Sequence, residues 1–474
     1  MGLAPSPGDN PPLHPGSTLV VTCDALDREG AGVANLAGAV RLHVAGALPG
    51  ECVRATVAHV SPHRRAQGQD AWASVDEIVQ AAPGRVRPPC PVQHRCGGCP
   101  LMSWAYPAQL EWKRGLLVQA LSVHEGLTTV PVAACVASPR LLGYRANAKY
   151  VFGRDRDGRL VLGAYAPRSH EIVDMSDCPI GEPALAEVAT ALRAVLTERK
   201  VEPFDETRRT GVLRYAILRA NAAGRVLVAL VTGGKSWPEA AIVARELTAA
   251  CSAVLGVVHN INPSSGNALF GEQERLLFGS AFIEDEMGPA RVRLAARSFA
   301  QANRLVAGLA YHQIVAAAAR LGPIDRALDA YAGAGGIALS LAPLCREVVA
   351  IEENPAAAAT ARAFIGERSS DAPALRVRFV TGDVADHLAG LGHADLVVLN
   401  PPRKGCAPAV LAAVAELRPR LVAYLSCYPT SLARDLATLA RLSRRATAIT
   451  PYDMLPHTPH VEALALLYRD PGLS

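Results

Sequence analysis

The chain lacks any uninterrupted apolar run of about 18 residues, so no membrane-crossing helix is expected. Charged residues are few, at 19%, and aromatic ones fewer, at 5%. The low charge excludes a self-repelling disordered chain, and the apolar half of the sequence is enough to build sizeable cores. Neither sign of charge dominates. The balance of 48 Lys and Arg against 43 Asp and Glu, net +5, excludes a uniformly basic nucleic-acid-coating protein and leaves room for a local basic surface. Residues 1–17 have no positive n-region and no apolar h-region, so no signal peptide is expected. The 11 cysteines are an odd number in a long chain, which argues against a disulfide scaffold and for a reducing, cytoplasmic setting. At about 150 residues per domain, 474 residues suggest roughly three domains.

Residues 1–16 read as a disordered tail. Over residues 17–80, alternating or Val-rich runs at Leu19–Thr22, Ala39–Val44, Glu51–Val60 and Trp72–Ile78 predict a small OB-like β-barrel. They are punctuated by Gly30–Gly32, Gly46 and Pro49–Gly50. Residues 81–290 read as a central α/β domain. Its first part concentrates the basic charge, with Arg85, Arg87, Arg95, Lys113, Arg114, Arg140, Arg145 and Lys149 against Glu111 and Glu125, as a phosphate-facing surface would. Helical spacing of Leu110, Leu117, Val118 and Leu121 predicts a helix over Ala108–Val123. From Arg291 to Ser474 the rhythm becomes strand–helix. Short apolar strands at Ile324–Ala330, Glu347–Glu352, Val377–Thr381, Ala394–Leu399 and Leu421–Ser426 predict a Rossmann-like parallel sheet with crossover helices.

Four motifs carry chemistry. Asp329-Ala-Tyr-Ala-Gly-Ala-Gly-Gly336 follows a strand and opens a helix, and its glycines permit a tight turn and close approach of backbone to a ligand. Glu352 ends the next strand and Asp383 follows the third, positions suited to ribose hydroxyls and an adenine edge. Together these resemble the S-adenosylmethionine pocket of class I methyltransferases. Asn400-Pro-Pro-Arg-Lys-Gly405 follows the next strand, where ligands of such sheets bind. An aromatic after Asn-Pro-Pro would fit methylation of an exocyclic amine, and Arg403 stands there instead. Ser426-Cys427 ends a strand at the same edge, and Glu462 opens another strand after His457-Thr-Pro-His-Val. A lone buried cysteine is ordinarily structural, but placement at this edge makes Cys427 a candidate nucleophile. Cys90-x5-Cys96-x2-Cys99, with the distant Cys178, has ligand spacing compatible with zinc or an iron–sulfur cluster, which spacing alone does not separate.

These residues together resemble the RNA uracil-C5 (m5U) methyltransferase family, over about residues 17–465, and within it the enzymes acting on 23S ribosomal RNA. Gly46-Ala-Leu-Pro-Gly-Glu51 looks like that family's N-terminal TRAM barrel, and Ser298-Phe-Ala-Gln-Ala-Asn303 like the entry to its cofactor pocket. The resemblance implies a multidomain protein: a TRAM barrel, a central α/β domain with an iron–sulfur site and RNA contacts, and a C-terminal methyltransferase domain. It implies that residues near 102–135 pack on the catalytic domain. It assigns Cys427 as nucleophile and Glu462 as base. Gln301, Tyr331, Gly336, Glu352, Asp383 and Asn400 would line the S-adenosylmethionine pocket, and Cys90, Cys96, Cys99 and Cys178 would hold a [4Fe–4S] cluster. Two departures stand out. Many members carry Asp where this chain has Asn400, and many carry Asn or a similar residue at the place of Gly336.

The implied reaction is methylation of C5 of a uridine, in 23S ribosomal RNA by expectation and at tRNA uridine-54 as the alternative. Thiolate addition to C6 would activate C5, and a carboxylate would remove the C5 proton afterwards. The target base would have to be flipped out or single-stranded. A non-catalytic iron–sulfur RNA-binding protein is the competing class, against which the joint presence of Cys427 and Glu462 argues. The expected partner is RNA, without a membrane, for a cytoplasmic monomer.

Overall fold

The computed structural model describes residues 13–65, 68–234, 236–266, 268–369, 376–388, 390–442 and 444–469. The chain divides into two compact units. One comprises residues 1–112 with Pro456–Pro459, the other 113–455 with 460–474.

The first unit is built on one sheet. Strands β1 (Thr18–Cys23), β2 (Ala25–Leu26), β3 (Gly32–Leu36), β4 (Val40–Ala45), β5 (Glu51–Arg65) and β6 (Gly68–Gln80) lie in the order β1-β5-β6-β4-β3-β2. Every pairing is antiparallel except β4 with β6. Period-two alternation puts Val53, Ala55 and Val57 of β5 inside with Val21, Leu42, Val44 and Ala71, while their neighbours face out. Strands β2 and β3 had no counterpart in the sequence reading, which treated Gly30–Gly32 as a break. Glu51 is fully buried. It accepts the Leu48 N–H at 2.8 Å and the Ala82 N–H at 3.2 Å and pairs with Arg85. Of the tail expected over residues 1–16, residues 1–12 lie outside the described residues. Leu13 packs on the sheet's core and the Gly16 N–H donates to the Val57 carbonyl at 2.8 Å. After the sheet come a short helix α1 (Gln93–Cys96), stopped by Gly97 in the left-handed conformation, and α2 (Tyr106–Ser122).

In the second unit, Leu117, Leu121 and Leu127 join the core that holds Val422, Tyr424 and Ala463. A seven-stranded sheet follows, with β7 (Asn147–Arg154), β8 (Leu160–Tyr165), β9 (Ile172–Asp174), β10 (Leu213–Ala220), β11 (Val226–Thr232), β12 (Val254–Ile261) and β13 (Gln273–Gly279) in the order β13-β12-β11-β10-β7-β8-β9. Helices α3 (Pro183–Glu198) and α4 (Ala240–Ala250) pack on it through Leu185, Leu192, Val243 and Leu247. A hairpin, β14 (Phe282–Met287) and β15 (Ala290–Ala295), leads to α5 (Arg304–Ala319), whose N-cap Asn303 accepts the Val306 N–H. Arg304 at the start of α5 is buried and pairs with Glu182 and Asp285.

The last sheet positions the site. Its strands are β16 (Ile324–Ala330), β17 (Cys345–Glu352), β18 (Val377–Thr381), β19 (Leu396–Leu399), β20 (Leu421–Ser426), β21 (Arg444–Tyr452) and β22 (Glu462–Arg469). The order is β18-β17-β16-β19-β20-β22-β21. The first five strands run parallel, as their apolar, two-sided burial predicts, and β22 runs antiparallel between β20 and β21. Connecting helices are α6 (Gly336–Leu341), α7 (Pro355–Ser369), α8 (Val384–Leu388), α9 (Pro408–Glu416) and α10 (Pro429–Arg441). Among the described residues no helix is long and apolar enough to cross a membrane.

Candidate active site

The parallel strands all end at one edge of the sheet. Ala330 pairs in register with Ile351 and Leu399, Glu352 with Thr381, and Leu399 with Tyr424. Tyr331, Glu352, Asp383, Asn400 and Cys427 therefore stand along the carboxyl edge, where open α/β sheets bind ligands. The order reverses beside β16, between β17 and β19, which makes the turn after β16 the natural crevice.

That turn is the Gly-rich motif. Tyr331 has φ 65°, Gly333 57° and Gly335 81°, and a side chain at Gly335 would meet the Phe379 ring at 2.5 Å. At Gly333 a Cβ would meet nothing within 4 Å, so bare backbone faces open space. Glu352 accepts the Gly333 N–H through one oxygen and the Asn354 N–H through the other, each at 2.7 Å, and each oxygen retains a lone pair. Asp383 accepts the Ala385 N–H at 2.7 Å. Asp329 accepts the Ala338 N–H at 2.8 Å through Oδ2, while Oδ1 is buried without a partner. Burial pushes this carboxyl up to about 7. This donor and acceptor set fits a nucleoside carrying an amino-acid tail. Gln301 is half-buried, and two residues before it Phe299 is 73% exposed. The Tyr331 ring is half-buried and turned to the Cys406 thiol, so its side chain is partly engaged in packing.

The second cluster lies at β20 and β22. Ser426 pairs with Ala463, and one residue further on each strand stand Cys427 and Glu462. Glu462 also pairs across the ladder with Tyr452. Glu462 is 4% exposed, and burial raises its carboxyl to about 8. Cys427 is half-buried. Burial first and the Glu462 charge second push its thiol up, while the Arg403 guanidinium draws it down by charge and hydrogen bond. Burial and the charges of Arg403, Lys113 and Arg145 hold His460 below the usual histidine range. Its neutral Nδ1 is 3.4 Å from Arg403 Nη2 and can accept a hydrogen bond from it. The sequence reading gave Arg403 only a negative role and passed over His460. The available signal was Arg403's place in the loop after β19, on the same edge as Cys427.

Asp435 fixes that loop. It is buried, and through Oδ2 it accepts the Cys406 N–H at 2.8 Å and the Tyr424 hydroxyl at 2.5 Å, while pairing with Arg434. Asp435→Ala strands two buried donors at roughly 1–3 kcal/mol each. A loss of about 2–6 kcal/mol in denaturant unfolding is therefore expected, together with slower catalysis because Arg403 loses its mount.

The basic segment proved less available than its charge suggested. Lys113 is fully buried, bonded to Asp453 and, at 3.0 Å, to the Leu455 carbonyl, and Arg85 is held by Glu51. A lysine at an i+3/i+4 position of an apolar helix face is buried with its partner, which charge counting does not register.

The proposed metal ligands are divided. Cys90, Cys96 and Cys99 belong to the first unit and Cys178 to the second. Among the described residues no three His, Cys, Asp or Glu side chains gather as a metal site.

Comparison with known proteins settles the family. The chain is 35% identical over 464 residues to an uncharacterized RNA methyltransferase of Geobacter sulfurreducens, covering 96% of this chain and 90% of that protein. It is 32% identical to another from Halalkalibacterium halodurans, covering 96% and 98%. The family profile described as tRNA (Uracil-5-)-methyltransferase matches residues 388–470, the segment holding Asn400, Cys427 and Glu462. The chain belongs to the RNA uracil-C5 methyltransferase family. Like the rest of that family, it is an S-adenosylmethionine-dependent RNA methyltransferase. The fold agrees: a Pyrococcus abyssi tRNA (uracil-54, C5)-methyltransferase, solved with S-adenosyl-L-homocysteine, superposes with a TM-score of 0.73 at 24% identity, covering 95% of this chain and all of that one.

Proposed function

We propose that this RNA uracil-C5 methyltransferase acts on a uridine of 23S ribosomal RNA through a covalent bond between Cys427 Sγ and C6 of the base. The observation that carries the reading is the placement of Cys427 and the buried Glu462 one residue beyond the Ser426–Ala463 pair of adjacent strands at the ligand-binding edge. Uracil C5 is a weak nucleophile. Addition of the Cys427 thiolate to C6 makes an enolate with its electron density on C5. The sulfonium of S-adenosylmethionine supplies an electrophilic methyl, which C5 takes. Glu462 then accepts the C5 proton, and the electron pair of that C–H bond forms the C5–C6 double bond as sulfur leaves. Arg403, set by His460 and by the loop that Asp435 pins, stabilises the thiolate before attack and after release. Gln301, Tyr331, Gly336, Glu352, Asp383 and Asn400 would hold the methyl donor. The exposed ring of Phe299 offers a stacking face for a flipped base.

The ribosomal substrate rests on the likeness of the barrel motif and the four cysteines to the ribosomal branch. A tRNA substrate is the second reading, favoured by the description of the matched family and by the name of the Pyrococcus abyssi protein. Incubation with S-adenosylmethionine and either 23S ribosomal RNA or tRNA transcripts, followed by nucleoside mass spectrometry, decides between them. 5-Methyluridine in the ribosomal RNA is the expected product. Methylation of tRNA alone would replace the substrate, and methylation of another atom would overturn the chemistry.

The cysteine spacing supports a [4Fe–4S] cluster on Cys90, Cys96, Cys99 and Cys178, although the side chains do not gather as a site here, and no step above passes through it. Protein purified without oxygen is expected to be brown, with about four iron and four sulfide per chain. A colourless protein with one zinc would refute the cluster.

A further inference from the structure

Gly336 begins α6, directly after the Gly-rich turn, and has no side chain to offer a ligand. The space a side chain would need is already filled. A Cβ built on Gly336 would stand 3.0 Å from Tyr311 Cε2, 3.6 Å from Cζ and 3.5 Å from the hydroxyl oxygen. Tyr311 comes from α5, is 5% exposed, and lies where the charges of both Asp329 and Glu462 reach it. The other two large buried tyrosines of this domain have their hydroxyls engaged, Tyr424 with Asp435 and Tyr452 with Gln313. The Tyr311 hydroxyl makes no hydrogen bond among the described residues, and it is not among their fully enclosed unpartnered side-chain atoms. A phenol hydroxyl that no protein group takes and that is not sealed in is available to a ligand.

From this geometry we propose that Tyr311 is a binding residue for the methyl-donating substrate: its ring occupies, and its hydroxyl serves, the place that a side chain at position 336 would take. The assignment rests on the reading that the Gly-rich turn holds S-adenosylmethionine. It makes residues 311 and 336 a size-coupled pair, in which bulk on one side requires space on the other. It also gives the absence of a side chain at Gly336 a physical reason within this chain.

Calorimetric binding of S-adenosylhomocysteine to the full-length protein, with thermal melting alongside, tests the pair. Tyr311→Phe keeps the ring and removes the hydroxyl, and is expected to weaken binding about fivefold, the worth of one hydrogen bond, with the melting temperature held. A purely space-filling role predicts wild-type affinity for this variant, and that result would overturn the proposal. Gly336→Ser alone must push against the Tyr311 ring and is expected to bind poorly. Combined with Tyr311→Ala it gains room and brings its own hydroxyl, so the double variant should bind more tightly than either single one. Additive losses would also refute the coupling. Wild-type protein that fails to bind S-adenosylhomocysteine would instead bring down the pocket assignment beneath it.

Discussion

Cys427→Ala is expected to reduce uridine methylation on the order of 10,000-fold or more, since a nucleophile working with its base has no substitute in the site. The same variant should lose covalent capture of RNA carrying 5-fluorouridine. Fluorine at C5 leaves no proton for Glu462 to remove, so in the wild-type protein the sequence stops after methyl transfer with the Cys427–C6 bond intact. A band that survives denaturing electrophoresis, dependent on S-adenosylmethionine, is the readout. Persistence of the band in Cys427→Ala would move the nucleophile elsewhere. The nearest other thiol of the loop, Cys406, is buried between Tyr424 and Asp435 with its own proton affinity raised to about 11, so it is poorly placed to take over.

Glu462→Gln should produce the complementary result. The thiol still adds and C5 is still methylated, but the C5 proton has no acceptor. Turnover is expected to fall roughly 100- to 10,000-fold, with the methylated adduct accumulating on ordinary uridine RNA. The pH dependence follows from the raised carboxyl. Glu462 must be ionised to act and is held to about 8, so the wild-type rate should climb with pH up to and through that value. Stability moves in the opposite sense. The unfolded chain releases this proton near its ordinary 4.5 and the folded chain near 8, so the contribution is complete at low pH and lost as pH rises through that window. Glutamine does not titrate. The melting temperature of Glu462→Gln relative to wild type should therefore increase between about pH 5 and 8 and level off above. A flat difference across that range would show that Glu462 is ionised throughout.

The catalytic sheet was readable because each parallel strand is a short apolar run bounded by helical stretches, so Glu352, Asp383, Asn400 and Cys427 could be placed at strand ends by counting. Glu462 was legible as the residue entering the apolar run of β22, and its nomination as a base came from the likeness of its motif. What stayed hidden depends on contacts distant in sequence. Lys113 looks like any surface cation until Asp453 is brought to it. Arg403 gains its role only when β19 and β20 lie side by side. Tyr311 lies within an Ala-rich helix, and its nearness to the bare Cα of Gly336 appears only once the two helices are packed. The two-residue β2 is too short to leave a pattern, and Gly32, its partner's first residue, needs its bare Cα because a Cβ would stand 2.9 Å from Cys23 Sγ.

The polypeptide leaves the first compact unit at residue 112, returns to it for only Pro456–Pro459, and opens β22 with Glu462 three positions later. No single splice can then exchange one unit for another's. An exchange of residues 1–112 alone would leave behind the four residues that group with that unit, three positions before the strand that Glu462 opens.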